Sequence, residues 1–226
     1  MGWLAYSGGH GTATAHASIT PEIMIETGAL VLEAPLPSDR RAATLLEVAS
    51  LHPEPSLLRI QSIPGEGFSV LISSSASVFH ALISHTLQSR TDSFRLTLNW
   101  DSTSGDGFLS IEHPGDDALF TRDLTRCIPM PGALILGALA EMRSADVAQN
   151  LSYIGFHQGP IHVGPSPTLD FHTPVLTPQG YRKIGAMKPG DTVISTSGDI
   201  VPVLGVFKKT TPAFGSYAPV RLRAPY

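Results

Sequence analysis

The sequence predicts a mainly β protein whose N-terminal part is an antiparallel β-sandwich. Three observations carry this expectation. Residues 94–100 (FRLTLNW) alternate strictly, with Phe94, Leu96, Leu98 and Trp100 on one side and Arg95, Thr97 and Asn99 on the other. Alternation over seven residues marks a half-buried strand. Short apolar runs recur at a spacing of about 8–12 residues, each closed by turn residues, as they do in sandwiches and barrels. The chain also holds 21 glycines and 19 prolines among 226 residues, with 15 % charged. That composition fits strands with many turns better than a helical bundle.

In chain order, residues 1–20 are rich in Gly, Ser, Thr, His and Ala and read as a loop-like or frayed entry, with Trp3 and Tyr6 available to dock on a core. Strands are expected at 28–36 (GALVLEAPL), 44–49 (TLLEVA), 57–63 (LLRIQSI), 68–72 (FSVLI) and 78–87 (VFHALISHTL). In the first, Leu30, Leu32 and Ala34 oppose Val31 and Glu33. The turn-rich stretch 101–106 joins 94–100 to 108–112 (FLSIE) as a hairpin with adjacent antiparallel strands. A loop ending near Pro129 should lead to an apolar strand. The one candidate helix is 137–148, with Leu139, Met142 and Val147 as its buried residues. Residues 153–163 (YIGFHQGPIHV) read as a return strand. Pro165, Ser166 and Pro167 then disfavour both helix and ladder pairing, which places a boundary near 165. The order of features in residues 1–165 resembles a laminin-G/concanavalin-like sandwich.

Several function classes are disfavoured by composition. A net charge of −4 and a pI near 6.1 give no electrostatic footprint for nucleic acid or anionic membrane. No basic n-region and sustained apolar h-region open the sequence, so a cleavable signal peptide is not expected. The longest apolar run, residues 133–140, is far short of the ~20 residues of a membrane helix. The expectation is a soluble protein, cytoplasmic or non-classically secreted. The single cysteine, Cys127, excludes an internal disulfide and an all-cysteine metal site. It reads as a core or rim residue, although nearby Arg122 and Arg126 would favour a lowered thiol pKa. His157, His162 and His172, with Asp170, match no compact ligand spacing. His80 and His85 fall on opposite faces of one strand. Asp101, Asp106 and Glu112 read as a solvated hairpin turn, with a calcium site as the less favoured reading. Neither a cofactor nor a metal is predicted, and no paired-carboxylate or Ser-His-Asp constellation appears at readable spacing.

From Thr173 the sequence reads TPVLTPQGYRKIGAMKPGDTVISTSGDIVPV. Pro178, Gln179 and Gly180 form a tight turn with glycine free to take positive φ. Pro189, Gly190 and Asp191 form a second, in which the Asp side chain aims at nearby backbone amides, before Val193 and Ile194 re-enter a strand. The order of Thr177, Pro178, Gly180, Ile184, Met187, Pro189, Gly190, Asp191, Val193, Gly198, Asp199, Pro202 and Val203 resembles the opening of bacterial Hedgehog/intein (Hint) domains. Residues 219–223 resemble a later strand of that family. The similarity covers about a quarter of the chain and gives a second region, 166–226, the first and incomplete half of a Hint-type β-fold.

Hint domains cleave or splice their own chain, so the resemblance implies a self-processing ancestry. It also places the family nucleophile, a Cys, Ser or Thr, at Thr168. A threonine hydroxyl is a far poorer nucleophile than a thiolate without an activating base. The family's catalytic histidine belongs to a later block that this sequence does not contain. The expectation is therefore a Hint-type protein without self-processing. The alternative is a non-enzymatic glycan- or protein-binding sandwich carrying a structural Hint remnant. A hydrolase built on the sandwich ranks last. Val175, Leu176, Val193, Ile194, Val201, Val203, Leu204 and Val206 give the second region more apolar strand surface than a half-domain can bury, so docking on the first region or a homodimer through the open sheet edge is expected.

Overall fold

The computed structural model describes residues 2–8, 13–36, 41–84, 93–113, 119–144, 151–164 and 169–218. The chain divides into two compact units. The first comprises Met1–Ser166 together with Phe214–Ser216, and the second Pro167–Ala213 with Tyr217–Tyr226.

In the first unit the strands are, in chain order, β1 (Trp3–Gly8), β2 (Ala13–Ala15), β3 (Met24–Ile25), β4 (Thr27–Pro35), β5 (Ala43–Ser50), β6 (Ser56–Ile63), β7 (Gly67–Ser73), β8 (Val78–Ile83), β9 (Ser93–Asp101), β10 (Gly107–Glu112), β11 (Leu119–Leu124), β12 (Met130–Pro131) and, after helix α1 (Gly132–Glu141), β13 (Tyr153–Gln158). They form a seven-stranded sheet in the order β11-β10-β9-β4-β13-β1-β2 and a four-stranded meander, β5-β6-β7-β8, with β12 and β3 as a separate short pair. All pairings are antiparallel. The fold is the expected antiparallel β-sandwich. Its core is one cluster that joins Leu30, Leu32, Phe94, Leu96, Leu98, Leu109, Ile111, Ile154 and Phe156 of the large sheet to Leu58, Ile60, Phe68, Val70, Ile72 and Phe79 of the small one. Phe68 and Phe94 meet across the interface with ring centroids 4.3 Å apart. Each such side chain contributes about 1.5–3 kcal/mol on leaving water.

Period-2 alternation assigns the inner face correctly. Leu96, Leu98 and Trp100 are buried, and β9 pairs with β10 in the expected hairpin, Leu98 opposite Leu109 and Leu96 opposite Ile111. The outer face departs from expectation. Arg95, Thr97 and Asn99, read as the solvent side of a half-buried strand, are buried as well. Two segments cover it, Phe214–Ser216 at Arg95 and the chain that follows β13 at Asn99. Gly159, at φ 83°, and Pro160 end β13 at Gln158, so the expected return strand to 163 is shorter. The chain then crosses the outer face, where the Ile161 amide donates to Asn99 Oδ1 at 2.6 Å and the Gly164 amide to Glu112 Oε1 at 3.2 Å.

Three further expectations are corrected. Residues 3–8 are not a frayed entry: β1 lies inside the large sheet between β13 and β2, because its Gly and Ser residues share the strand with buried Leu4 and Ala5. The chain after Pro129 enters only the two-residue β12 and then α1, not an apolar strand. The helix runs Gly132–Glu141 instead of 137–148. It is apolar nearly all round, with Leu134, Ile135, Ala138 and Leu139 buried, so it shows no amphipathic stripe from which its ends could be read. A Cβ on Gly137 would stand 2.4 Å from Val48 Cγ1, so the missing side chain lets the helix press on β5. Val147 and His85 lie outside the described residues.

In the second unit, β14 (Pro174–Thr177) pairs with β15 (Gly180–Lys183) and β16 (Thr192–Ile194) with β17 (Ile200–Pro202). Among its described residues only Thr177 and Met187 are buried, while Leu204 and Phe207 are 90 % and 87 % exposed.

Candidate functional site

The outer face of the large sheet is built in transverse rows fixed by register. One row runs Gly8 (β1), Tyr153 (β13), Glu33 (β4), Arg95 (β9) and Glu112 (β10), each residue directly opposite the next. Side chains in such a row stand about 5 Å apart, close enough for charges to pair. The Arg95 guanidinium lies between two carboxylates, with Nη2 3.4 Å from Glu33 Oε2 and Nη1 3.7 Å from Glu112 Oε2. All three side chains are nearly removed from solvent, where a charge is tolerated only when paired. The next row holds Tyr6 and Gly155, and the one after it Trp3 and His157. A Cβ on Gly155 would collide with both the Tyr153 hydroxyl and the Trp3 ring, so this glycine is the seat for two aromatic side chains. Trp3 meets Tyr153 and His157 edge-on, at 6.1 and 5.3 Å.

Phe214–Ser216, which belongs to this unit, lies on the first row. The Phe214 ring packs over Gly8, stacks on Tyr153 with centroids 6.4 Å apart and touches Tyr6 at 6.0 Å. Ser216 donates its amide to Glu33 Oε1 at 2.8 Å and its hydroxyl to Glu33 Oε2 at 2.6 Å. The same hydroxyl oxygen accepts a hydrogen bond from Arg95 Nη2. The arrangement can therefore hold a hydroxyl group as donor and acceptor at once, beside an aromatic platform. Sequence reading placed Glu33 and Arg95 on the outer face but did not single them out, and it considered Glu112 only for calcium. The available signal was Glu33, the one charge in β4, whereas Arg95 shares β9 with Thr97, Asn99 and Asp101 and does not stand out.

Asp101 Oδ1 accepts from Thr103 Oγ1 at 2.5 Å, from the Thr103 amide at 2.9 Å and from the Ser104 amide at 3.4 Å. These bonds, the Thr103 hydroxyl first, hold its carboxyl below the ordinary range. Glu112 stands at the far end of β10 from this turn, about 17 Å along the strand, so it cannot share an ion with Asp101 and Asp106. His157 Nδ1 pairs with the Gly159 carbonyl at 3.0 Å, and the His172 amide donates to Asp170 Oδ1 at 2.8 Å. No group of three His, Cys, Asp or Glu side chains among the described residues is placed to hold a metal. Cys127 is buried, in keeping with the expected core or rim position, and desolvation pushes its thiol pKa up, against a smaller lowering by a hydrogen bond with the Asp101 backbone. Ser69 Oγ and His80 Nε2 pair at 2.9 Å on the small sheet, with no carboxylate bonded to the imidazole among the described residues to complete a triad.

Thr168, expected as a nucleophile only from the Hint resemblance, lies outside the described residues. The motif residues around it fold as turn chemistry requires. Gly180 takes φ 105° and its carbonyl accepts from Thr177 Oγ1 at 2.7 Å, closing the turn at Pro178 and Gln179. Gly190 takes φ 91°, and Asp191 Oδ2 accepts from the Lys188 amide at 3.0 Å next to Pro189. Val193 sits in β16, opposite Val201, and Met187 is buried. Arg182 adds an ion pair to Asp191 at 3.5 Å. These residues build hairpins.

No family model matches the chain, and no curated protein matches it. Among solved structures it is similar to the Ruminococcus gnavus IT-sialidase CBM40 bound to α2,6-sialyllactose, at 13 % identity and a TM-score of 0.43 over 71 % of this chain and 89 % of that one. It is also similar to the tailspike protein 2 of an Escherichia coli O157:H7 bacteriophage, at 9 % identity and a TM-score of 0.32, over 61 % of this chain but only 18 % of that one. No helix among the described residues is long and apolar enough to cross a membrane.

Proposed function

We propose that the first unit is a non-enzymatic binding module for an uncharged glycan, with Tyr153, Glu33 and Arg95, which Phe214–Ser216 covers in this structure, as its ligand face. The second unit, on this reading, is a structural Hint-type segment that does not self-process. One observation carries the proposal: the Ser216 hydroxyl donates to Glu33 Oε2 while accepting from Arg95. A sugar hydroxyl presents the same donor and acceptor pair, and charge-assisted bonds of this kind are the strong ones. The adjacent aromatic rings offer flat apolar surface to the C–H face of a sugar ring. Charge selects among glycans. Arg95 is already flanked by two carboxylates, so the row has one more carboxylate than guanidinium, and an acidic sugar would add like charge to it.

The test is calorimetric titration of the full chain with neutral and with sialylated oligosaccharides at millimolar concentration. Neutral sugars should bind. Glu33→Gln, which removes a charged acceptor worth about 1.5–3 kcal/mol, should weaken that binding at least about tenfold. A preference for the acidic sugar, or indifference to Glu33→Gln, would overturn the proposal.

A further inference from the structure

We infer that Phe214–Ser216 is a built-in competitor for this face, occupying it in cis until a ligand displaces it. The inference rests on the glycan reading for what does the displacing, but its geometry stands by itself. Two glycines shape the seat from opposite sides. At Gly8 a Cβ would stand 2.4 Å from Phe214 Cδ1, so the bare backbone is what admits the ring. At Gly215, φ is +55°, a conformation side chains rarely adopt, and a Cβ would stand 2.6 Å from Glu33 Oε1, so glycine lets the segment turn this close to the carboxylate without displacing it. Between them the segment fills the site as a ligand would, with an aromatic ring on Tyr153 and Tyr6 and a hydroxyl between Glu33 and Arg95.

The contact is also built to open. Gly215 and Ser216 are exposed although Glu33 and Arg95 beneath them are buried. None of the three residues belongs to the apolar core cluster, so their departure leaves the sandwich packed. A segment tethered in cis acts at an effective concentration on the order of millimolar. It therefore lowers the apparent affinity of a free ligand in proportion to the fraction of open face it leaves.

The experiment uses the full chain and a fluorescein-labelled peptide with the sequence of residues 211–217 (TPAFGSY), read by fluorescence anisotropy. In Gly215→Ala the cis segment is expelled, and the peptide should bind at least about tenfold more tightly than to the unaltered protein. The double variant Phe214→Ala/Ser216→Ala, altered only in the segment, should behave in the same way. Gly8→Ala combined with Gly215→Ala should lose the peptide again, because the added methyl takes the place of the ring. Equal peptide binding by unaltered and Gly215→Ala protein, or binding by neither, would overturn the inference. A neutral oligosaccharide titrated in parallel separates the two readings. Peptide discrimination without sugar binding by any form would leave the competitor standing and remove the glycan. Sugar binding equal in both forms, without peptide discrimination, would keep the glycan and remove the competitor.

Discussion

Arg95 is the residue on which the outer face depends. It neutralises Glu33 and Glu112 at once, in a setting where both carboxylates have lost most of their water. Removing the guanidinium leaves two buried like charges with no cation between them. Arg95→Ala should therefore cost about 3–5 kcal/mol of stability, the range for breaking a buried ion pair by deleting one partner. Urea unfolding followed by tryptophan fluorescence reports this directly, since Trp3 and Trp100 both lie in the large sheet. An unchanged midpoint would mean that the two carboxylates do not depend on the guanidinium between them. Sequence alone marks Arg95 only as the polar side of an alternating strand. Its partners lie on other strands, Glu33 being 62 positions away, and no local pattern names them.

At the scale of the element, the β9–β10 hairpin owes its turn to Asp101. The Thr103 hydroxyl and amide donate to its carboxylate and depress its pKa. The sign follows from which form the fold prefers. A depressed folded pKa means stabilisation that is fully present above the unfolded value of about 3.9 and is lost as pH falls through the lower folded value. Thr103→Ala removes the largest of these bonds, so the Asp101 carboxyl should titrate at higher pH in a carbon-detected NMR titration. Coincident curves for the two proteins would sink this account. The hairpin was legible from sequence because its signals are local, namely alternation in each strand and an Asp-Ser-Thr-Ser-Gly-Asp connection. The helix was not, because an apolar run without a period is equally consistent with buried strand and buried helix.

For the whole molecule, burial is unevenly divided. The first unit encloses the apolar core, whereas the second buries only Thr177 and Met187 among its described residues. Regions with few buried contacts open at lower free energy. Amides of β14 to β17 should therefore exchange with deuterium well before those of β4 and β9, as read by mass spectrometry of peptic fragments. Equal protection in the two units would indicate that the apolar side chains of the second, Leu204 and Phe207 among them, are covered in solution, and light scattering would then show whether a second copy covers them. Hydroxylamine should release no fragment at the Pro167–Thr168 bond, because a threonine hydroxyl is a far poorer nucleophile than a cysteine thiolate for the acyl shift. A pair of fragments meeting at that bond would restore self-processing to the second unit.

The sequence by itself determined the β class, the strands of the meander, the inner face of β9 and the turns at Gly180 and Gly190. Each of these follows from a period of two or from a backbone conformation that a particular residue type favours, and both are settled within a few residues. Only the tertiary structure decided that the outer face is buried, that β1 belongs inside the sheet and that Glu33, Arg95 and Glu112 share a row. Register is set by the summed burial of the inner faces, and the outer-face neighbours are whatever that register brings opposite. The contact between Ser216 and Glu33 spans 183 positions, and it exists because two glycines leave room that no nearby residue in the chain reveals.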